Sequence, residues 1–286
     1  MANILDIRRR IRSVKNTLQI TKAMKMVSAA KLRRAQDRVI AARPYVALLR
    51  KVLSDVAAAA GNGEEAGANP LMARRPAKRI LLVLITGDKG LAGAFNTNLT
   101  KGAQRFFAEH GDASVSLELI GRKGRDFFRK RGANIAGEHI GLAAKVAYDD
   151  VAAVARKAMD LFCTDQIDAV YLLYNEFKSV MAQRLLVTQV LPVEVPAETA
   201  PIDYIYEQPP AAMLGELLPR YVEMEFYRAL LESAAAEHAA RMTAMESATS
   251  NAAEMIDKLT LHMNRVRQAS ITTQIIEVVS GAAAAE

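Results

Sequence analysis

Residues 214–279 read LGELLPRYVEMEFYRALLESAAAEHAARMTAMESATSNAAEMIDKLTLHMNRVRQASITTQIIEVV. Alternating steps of three and four from Leu214 reach Leu217, Tyr221, Met224, Arg228, Leu231, Ala235, His238, Met242, Met245, Thr249, Ala252, Ile256, Leu259, Met263 and Val266, most of them apolar. Such spacing held over many turns is the seam of a supercoiled helix, not the broader stripe of a helix lying on a globular core. A seam needs a facing helix.

The other end of the chain supplies one. From Ile4 the same walk gives Ile7, Ile11, Val14, Leu18, Thr21, Lys25, Ser28, Leu32, Ala35, Val39, Ala42, Val46, Leu49, Leu53 and Val56. Two helices of these lengths would span roughly 80 and 100 Å at about 1.5 Å per residue. One chain enters a middle segment along the first and leaves along the second, so the simplest pairing is antiparallel. The C-terminal helix is the longer, and its end is expected to project alone.

With 286 residues, 51% of them hydrophobic, the chain is not a mainly disordered protein, yet only 6% is aromatic and Trp is absent. That suits slender helix pairs rather than one large core. The lone Cys163 cannot form an internal disulfide and reads as a buried small hydrophobe. The first residues, with Asp6, Arg8, Arg9, Arg10 and Arg12, hold no apolar core of signal-peptide length, so export is not expected. The longest apolar run, Ile80 to Ile85, is far short of a membrane span. Of the net charge of +7, the first helix carries more than its share, with only Asp6 and Asp37 against its many Lys and Arg up to Lys51. Such a helix wants an acidic or phosphate-bearing neighbour, and charge alone leaves open a solvated face or a coiled-coil protein that binds nucleic acid.

The first seam fails at Thr21, Lys25 and Ser28, while Met24, Met26 and Val27 lie off it. Two readings stand: polar core residues that set register, or a second surface turned toward another molecule. Arg43-Pro44 should kink or interrupt the helix.

These patterns predict a first coiled-coil helix over residues 1–57, a linker over 58–78, a central α/β domain over 79–191, a second linker over 192–210 and a second coiled-coil helix over 211–286. Strands are expected at Arg79 to Thr86, Val115 to Ile120, Ile167 to Tyr174 and Leu185 to Val190. Helices are expected at Phe95 to His110, around Lys123 to Lys130, and at Tyr148 to Phe162. Strands alternating with helices imply a mostly parallel sheet.

The loop Gly87-Asp-Lys-Gly-Leu-Ala-Gly93 lacks both the G-x-G-x-x-G spacing and the Gly-Lys-Ser/Thr of phosphate loops, so a tight turn is the better reading. His110, His139, His238 and His262 show no ligand spacing with each other or with Cys163, so no metal is expected. Asp149, Asp150, Asp165 and Asp168 are explained by capping near helix ends and loops. No nucleophile elbow or kinase-like set is present, so no catalytic residues and no cofactor are expected.

Beyond generic coiled coil, Ile20-Thr-Lys-Ala-Met-Lys-Met-Val27 with Lys31-Leu-Arg-Arg-Ala-Gln36 resembles the gamma subunits of F-type ATP synthases. So do Arg241-Met-Thr-Ala-Met-Glu-Ser-Ala-Thr-Ser-Asn251, Asn264-Arg-Val-Arg-Gln-Ala-Ser-Ile-Thr272 and Glu277-Val-Val-Ser-Gly-Ala282. The resemblance implies a non-catalytic rotor shaft of a proton-translocating complex that makes ATP from ADP and phosphate. Its partners would be the alpha and beta subunits of a ring, an epsilon subunit and a membrane ring of c subunits, with no nucleic acid. Its place would be peripheral, at the cytoplasmic face of the bacterial inner membrane. By the same resemblance, Met24 and Lys25 would face the lever region of the beta subunit, and Arg241, Arg267, Gln268 and Thr272 a catch loop of the surrounding ring. Ile275, Ile276, Val279 and Ala282 would belong to an apolar tip in an upper bearing, reaching to Ala285. The Gly87–Gly93 loop departs from the more usual Ser-Asp-Arg-Gly-Leu-Cys-Gly, and the tip ends in Glu286.

Overall fold

A computed structural model describes residues 4–60, 69–144, 146–194 and 208–283, apart from the side chains of 60 and 281–283. The chain forms two compact units, Met1–Ser28 with Arg241–Glu286, and Ala29–Ala240. Two long helices, α1 (Ile4–Ala60) and α5 (Pro210–Ala283), contribute a stretch to each.

In the first unit α1 and α5 run antiparallel, with Thr21 against Thr249 and, one turn on, Lys25 against Glu246. The expected seam holds most of the buried positions, Ile7, Thr21 and Ser28 on α1 and Met245 and Ala252 on α5, with Arg241 buried off it. Apart from Met245 these residues are small or β-branched, which favours close packing of helices.

The second unit is built on a five-stranded sheet of order β3-β2-β1-β4-β5, made of β1 (Arg79–Ile85), β2 (Ser114–Ile120), β3 (Ile135–His139), β4 (Ala169–Phe177) and β5 (Gln183–Leu191). All neighbours are parallel except the edge strand β5. β1 is buried at every position after Arg79, because helices cover the central strand on both faces. Leu81, Val83 and Ile85 pack with α4 (Tyr148–Cys163), the end of α1 and the start of α5. On the opposite face Leu84 meets α3 (Arg122–Arg129) at Gly124, and Leu173 meets α2 (Phe95–Glu109) at Gly102. The result is a three-layer α/β arrangement with a mostly parallel sheet.

Several expectations need correction. Between Tyr221 and Ala240 α5 is more than a seam helix, since the off-seam Val222, Phe226, Ala229, Leu230, Ala236 and Ala239 are also buried. It touches both the sheet and α1, and a helix enclosed on several sides is apolar on several sides. α1 runs unbroken through Pro44. The carbonyl deprived of its donor belongs to Ile40, which like Pro44 is exposed, so water can replace the missing amide. Cys163 is exposed: it is the last residue of α4, and the buried face ends one position earlier at Phe162. β3 was not expected. Asp168 does not cap a helix but binds the start of β1, accepting from the Lys78 and Arg79 amides and pairing with the Arg79 guanidinium at 2.7 Å. Asp149 and Asp150 do lie in the first turn of α4. Much of the expected linkers, residues 61–68 and 195–207, lies outside the described residues.

Candidate partner-contact surfaces

The break in the α1 seam is filled from within the chain. The Thr249 hydroxyl donates to the Thr21 hydroxyl at 2.8 Å, and Thr21 in turn donates to the Leu18 carbonyl at 3.0 Å. Lys25 Nζ lies 2.7 Å from Glu246 Oε1, with both side chains partly in solvent. Ion pairs this exposed contribute little to stability, so the contact orients the lysine more than it binds the helices. Beside them Met24 is half-buried, and Ile20, Met26 and Val27 are exposed. The broken seam thus has paired polar residues on the inside and apolar side chains on the outside.

Around them α1 is strongly cationic. Arg8, Arg9, Arg10, Arg12, Lys15, Lys22, Lys31, Arg33 and Arg34 are all exposed.

The C-terminal residues separate into two groups. Arg241 is buried, whereas Arg267 and Gln268 are exposed about 39 Å further along the same helix. Thr272 is also exposed and returns its hydroxyl to the Gln268 carbonyl at 3.0 Å, as mid-helix threonines do. With Thr21 facing Thr249, the start of α1 at Ile4 falls near the level of Val266. The described residues from Arg267 to Ala283 therefore lie past the level of Ile4, the first described residue of α1. Ile271, Ile275, Ile276, Val278 and Val279 are all at least 48% exposed. Apolar side chains exposed together in this way are the usual mark of an interaction surface. The side chain of Ala282, and residues 284–286, lie outside what the structure describes.

In the second unit the Gly87–Gly93 loop turns tightly, with Leu91 and Gly93 at positive φ. Asp88 accepts from the amide of Arg122, the first residue of α3, at 3.0 Å and from the Gly141 amide at 3.1 Å. The protein's own carboxylate thus sits where an anion would bind that helix end.

Three buried charge clusters escaped the sequence reading. Glu118 on β2 accepts from His139 at 2.6 Å and from Lys157 at 2.9 Å. Burial pushes its carboxyl up, but these two hydrogen bonds outweigh burial and hold it below the usual range. Glu223 on α5 accepts from Arg156 and Tyr148, each at 2.6 Å; burial first, and then Glu223, push the Tyr148 phenol up to about 12. Glu232 accepts from the Phe177 amide at 3.2 Å and faces Arg228 and Arg43. No local pattern announces such clusters, since each joins residues far apart in the chain. The described residues hold no group of three or more His, Cys, Asp or Glu able to bind a metal, and no helix among them is long and apolar enough to cross a membrane.

These features define a class of protein whose two ends pair as long antiparallel helices, with an α/β sheet between them in sequence and an exposed apolar helix end. The family model described as ATP synthase matches residues 3–285. The ATP synthase gamma chain of Solibacter usitatus is 74% identical across the full length of both chains, and that of Anaeromyxobacter sp. is 51% identical over 99% of each. A chain from the central stalk and c-ring of Tetrahymena thermophila mitochondrial ATP synthase aligns with a TM-score of 0.61 at 25% identity, covering 80% of this chain and 99% of the other. A chain from the OSCP/F1/c-ring assembly of Euglena gracilis shares the fold, with a TM-score of 0.71 at 18% identity over 98% and 94%. The chain belongs to the ATP synthase gamma chain family.

Proposed function

We propose that this chain is the central-stalk rotor subunit of a proton-translocating F-type ATP synthase. In this role c-ring rotation turns the paired helices within a ring of alpha and beta subunits, where ATP is made from ADP and phosphate. The gamma chain itself makes no bonds. It acts as a differential ligand, favouring one conformation of each beta subunit in turn through contacts that differ between conformations.

The observation that carries this reading is the pairing of α1 with α5 at Thr21–Thr249 and Lys25–Glu246, beyond which a length of apolar α5 continues alone. Polar cross-contacts resist sliding of one helix along the other, which a shaft under torque requires. The exposed end, apolar apart from a few polar residues and Glu277, suits a socket in which a largely apolar surface can turn. The cationic face of α1 suits an acidic sleeve.

Within this reading Met24 and Lys25 meet the lever region of the beta subunit, with Met26 and Val27 extending the apolar part of that surface. Arg267, Gln268 and Thr272 meet the catch loop, where a guanidinium can hold a carboxylate with two bonds. Ile275, Ile276, Val279 and Ala282 turn in the upper bearing. Arg241, being buried, serves the catch loop by setting the helix pair from within. The epsilon subunit and the c ring hold the chain at the cytoplasmic face of the bacterial inner membrane.

Affinity purification of a tagged chain from detergent-solubilised membranes tests the reading. It should recover alpha, beta, epsilon and c subunits in a stable complex. Recovery of the chain alone, or with nucleic acid in a salt-sensitive complex, would contradict it.

A further inference from the structure

Within the second unit, α1, the end of β4 and α5 enclose a cleft of about 660 Å3 whose walls carry more positive than negative charge. Its two deepest carboxylates are already engaged by the protein. Arg228 donates to Glu225 Oε2 at 2.6 Å and lies 3.9 Å from Glu232, which also accepts from the Phe177 amide. The other cations in the lining have weaker partners. Arg43 is half exposed; one guanidinium nitrogen donates to the Phe177 carbonyl at 3.4 Å and lies 3.8 Å from Glu232, which leaves its other donors for a ligand. Arg50 donates to the Tyr221 phenol at 3.3 Å, a neutral partner whose ionisation burial opposes. Lys178, across the cleft, is 4.0 Å from Glu176.

The spacing on α1 shapes the opening. Arg43, Ala47 and Arg50 share one helix face, and the small Ala47 leaves room between the two guanidiniums. Lys51 lies beside them, and no described carboxylate pairs with it. Cations from separate elements converge on a space of the size that takes small ligands, several times larger than one phosphate needs. We propose that this cleft binds a soluble oligophosphate, with phosphoryl oxygens held between Arg43 and Arg50 and by Lys51 and Lys178. Guanidinium forks suit phosphoryl oxygens two at a time, and the lysines add charge without fixing geometry. None of the residues lining it belongs to the Gly87–Gly93 loop or is assigned above to the ring or the bearing.

Isothermal titration of the purified full chain with inorganic tripolyphosphate reads this directly. One saturable site is expected, weakened about tenfold or more in Arg50→Glu with Lys51→Glu. Arg8→Glu with Arg9→Glu makes the same change in net charge far along α1 and should titrate like the parent chain. Should charge reversal in the cleft impair folding, Arg50→Gln with Lys51→Gln asks the same question with a smaller perturbation. Absence of saturable binding overturns the proposal. Equal weakening by the cleft and control pairs overturns it too, since that marks diffuse attraction to a cationic chain.

Discussion

Thr249 and Thr21, far apart in sequence, join their hydroxyls at 2.8 Å across the antiparallel helix pair. Both occupy seam positions where an apolar residue would pack without direction. A hydroxyl pair packs less favourably but aligns the helices at one register, as single polar core residues do in coiled coils. Thr249→Val alone should destabilise the chain by about 1 kcal/mol, because the Thr21 hydroxyl loses its cross-helix partner. Thr21→Val with Thr249→Val should recover most of that loss, since two matching apolar groups replace both partners. Urea unfolding of the four proteins of the cycle measures the coupling, and additive losses would show that the hydroxyls act independently.

Phe226 and Ile276 lie on the same helix in opposite circumstances. Phe226, off the seam, is only 2% exposed against the sheet and α1, while Ile276 is 58% exposed beyond the partner helix. Phe226→Ala should cost about 3–5 kcal/mol in unfolding free energy. Ile276→Ala should change the free chain by less than about 0.5 kcal/mol. Loss of stability of comparable size in the Ile276 variant would mean that the apolar tip is already packed within this chain.

Glu118 gives the α/β unit a dependence on pH. Its folded-state pKa lies below the unfolded value of 4.5, so its stabilising contribution is complete above that value and is lost as pH falls through the folded pKa. Glu118→Gln should lower stability at pH 7 by roughly 2–4 kcal/mol, because Lys157 and His139 lose a buried acceptor charge. It should also flatten the stability profile below about pH 4.5. Thermal unfolding across pH 3–7 makes the comparison; parallel curves for the parent and variant would place the titration elsewhere.

The seam was readable because every buried α1 contact in the first unit repeats at a spacing the residues themselves display, from Ile7 through Ser28. β1 and β4 were readable as continuous apolar runs between covered layers. β3 was not. Ile135-Ala-Gly-Glu-His139 is short and holds Gly137 in place of a strand-forming residue. The reason is tertiary, since a Cβ at Gly137 would collide with the Glu118 carboxylate. Glu118 itself gave no sign of burial, because its partners His139 and Lys157 arrive from β3 and α4. Cys163 shows the converse error. A small apolar residue at a helix end reads as core, though the inward stripe stops at Phe162. Motif resemblance picked out the residues proposed above to contact partners, but not their burial. That Arg241 turns inward while Arg267 turns outward was not legible, because only the register of the opposing helix decides it.

Arg267 and Gln268 stand clear of the helix pair, so changing them should leave the fold intact. Arg267→Glu with Gln268→Ala should shift the unfolding midpoint by no more than a degree or two, within the usual range for surface changes. ATP synthesis by membranes carrying the variant should fall severalfold. Unchanged synthesis would remove these residues from the proposed contact with the ring.

Rotation can be observed through Cys163, the only cysteine in the chain and an exposed one. Partial burial pushes its thiol up, so a maleimide-linked probe is best attached above neutral pH. With the complex held by its alpha/beta ring and supplied with ATP, a probe at Cys163 should turn in one direction in three equal steps per revolution. A probe that keeps a fixed orientation while the same complexes hydrolyse ATP would contradict the assignment of this chain as the rotor.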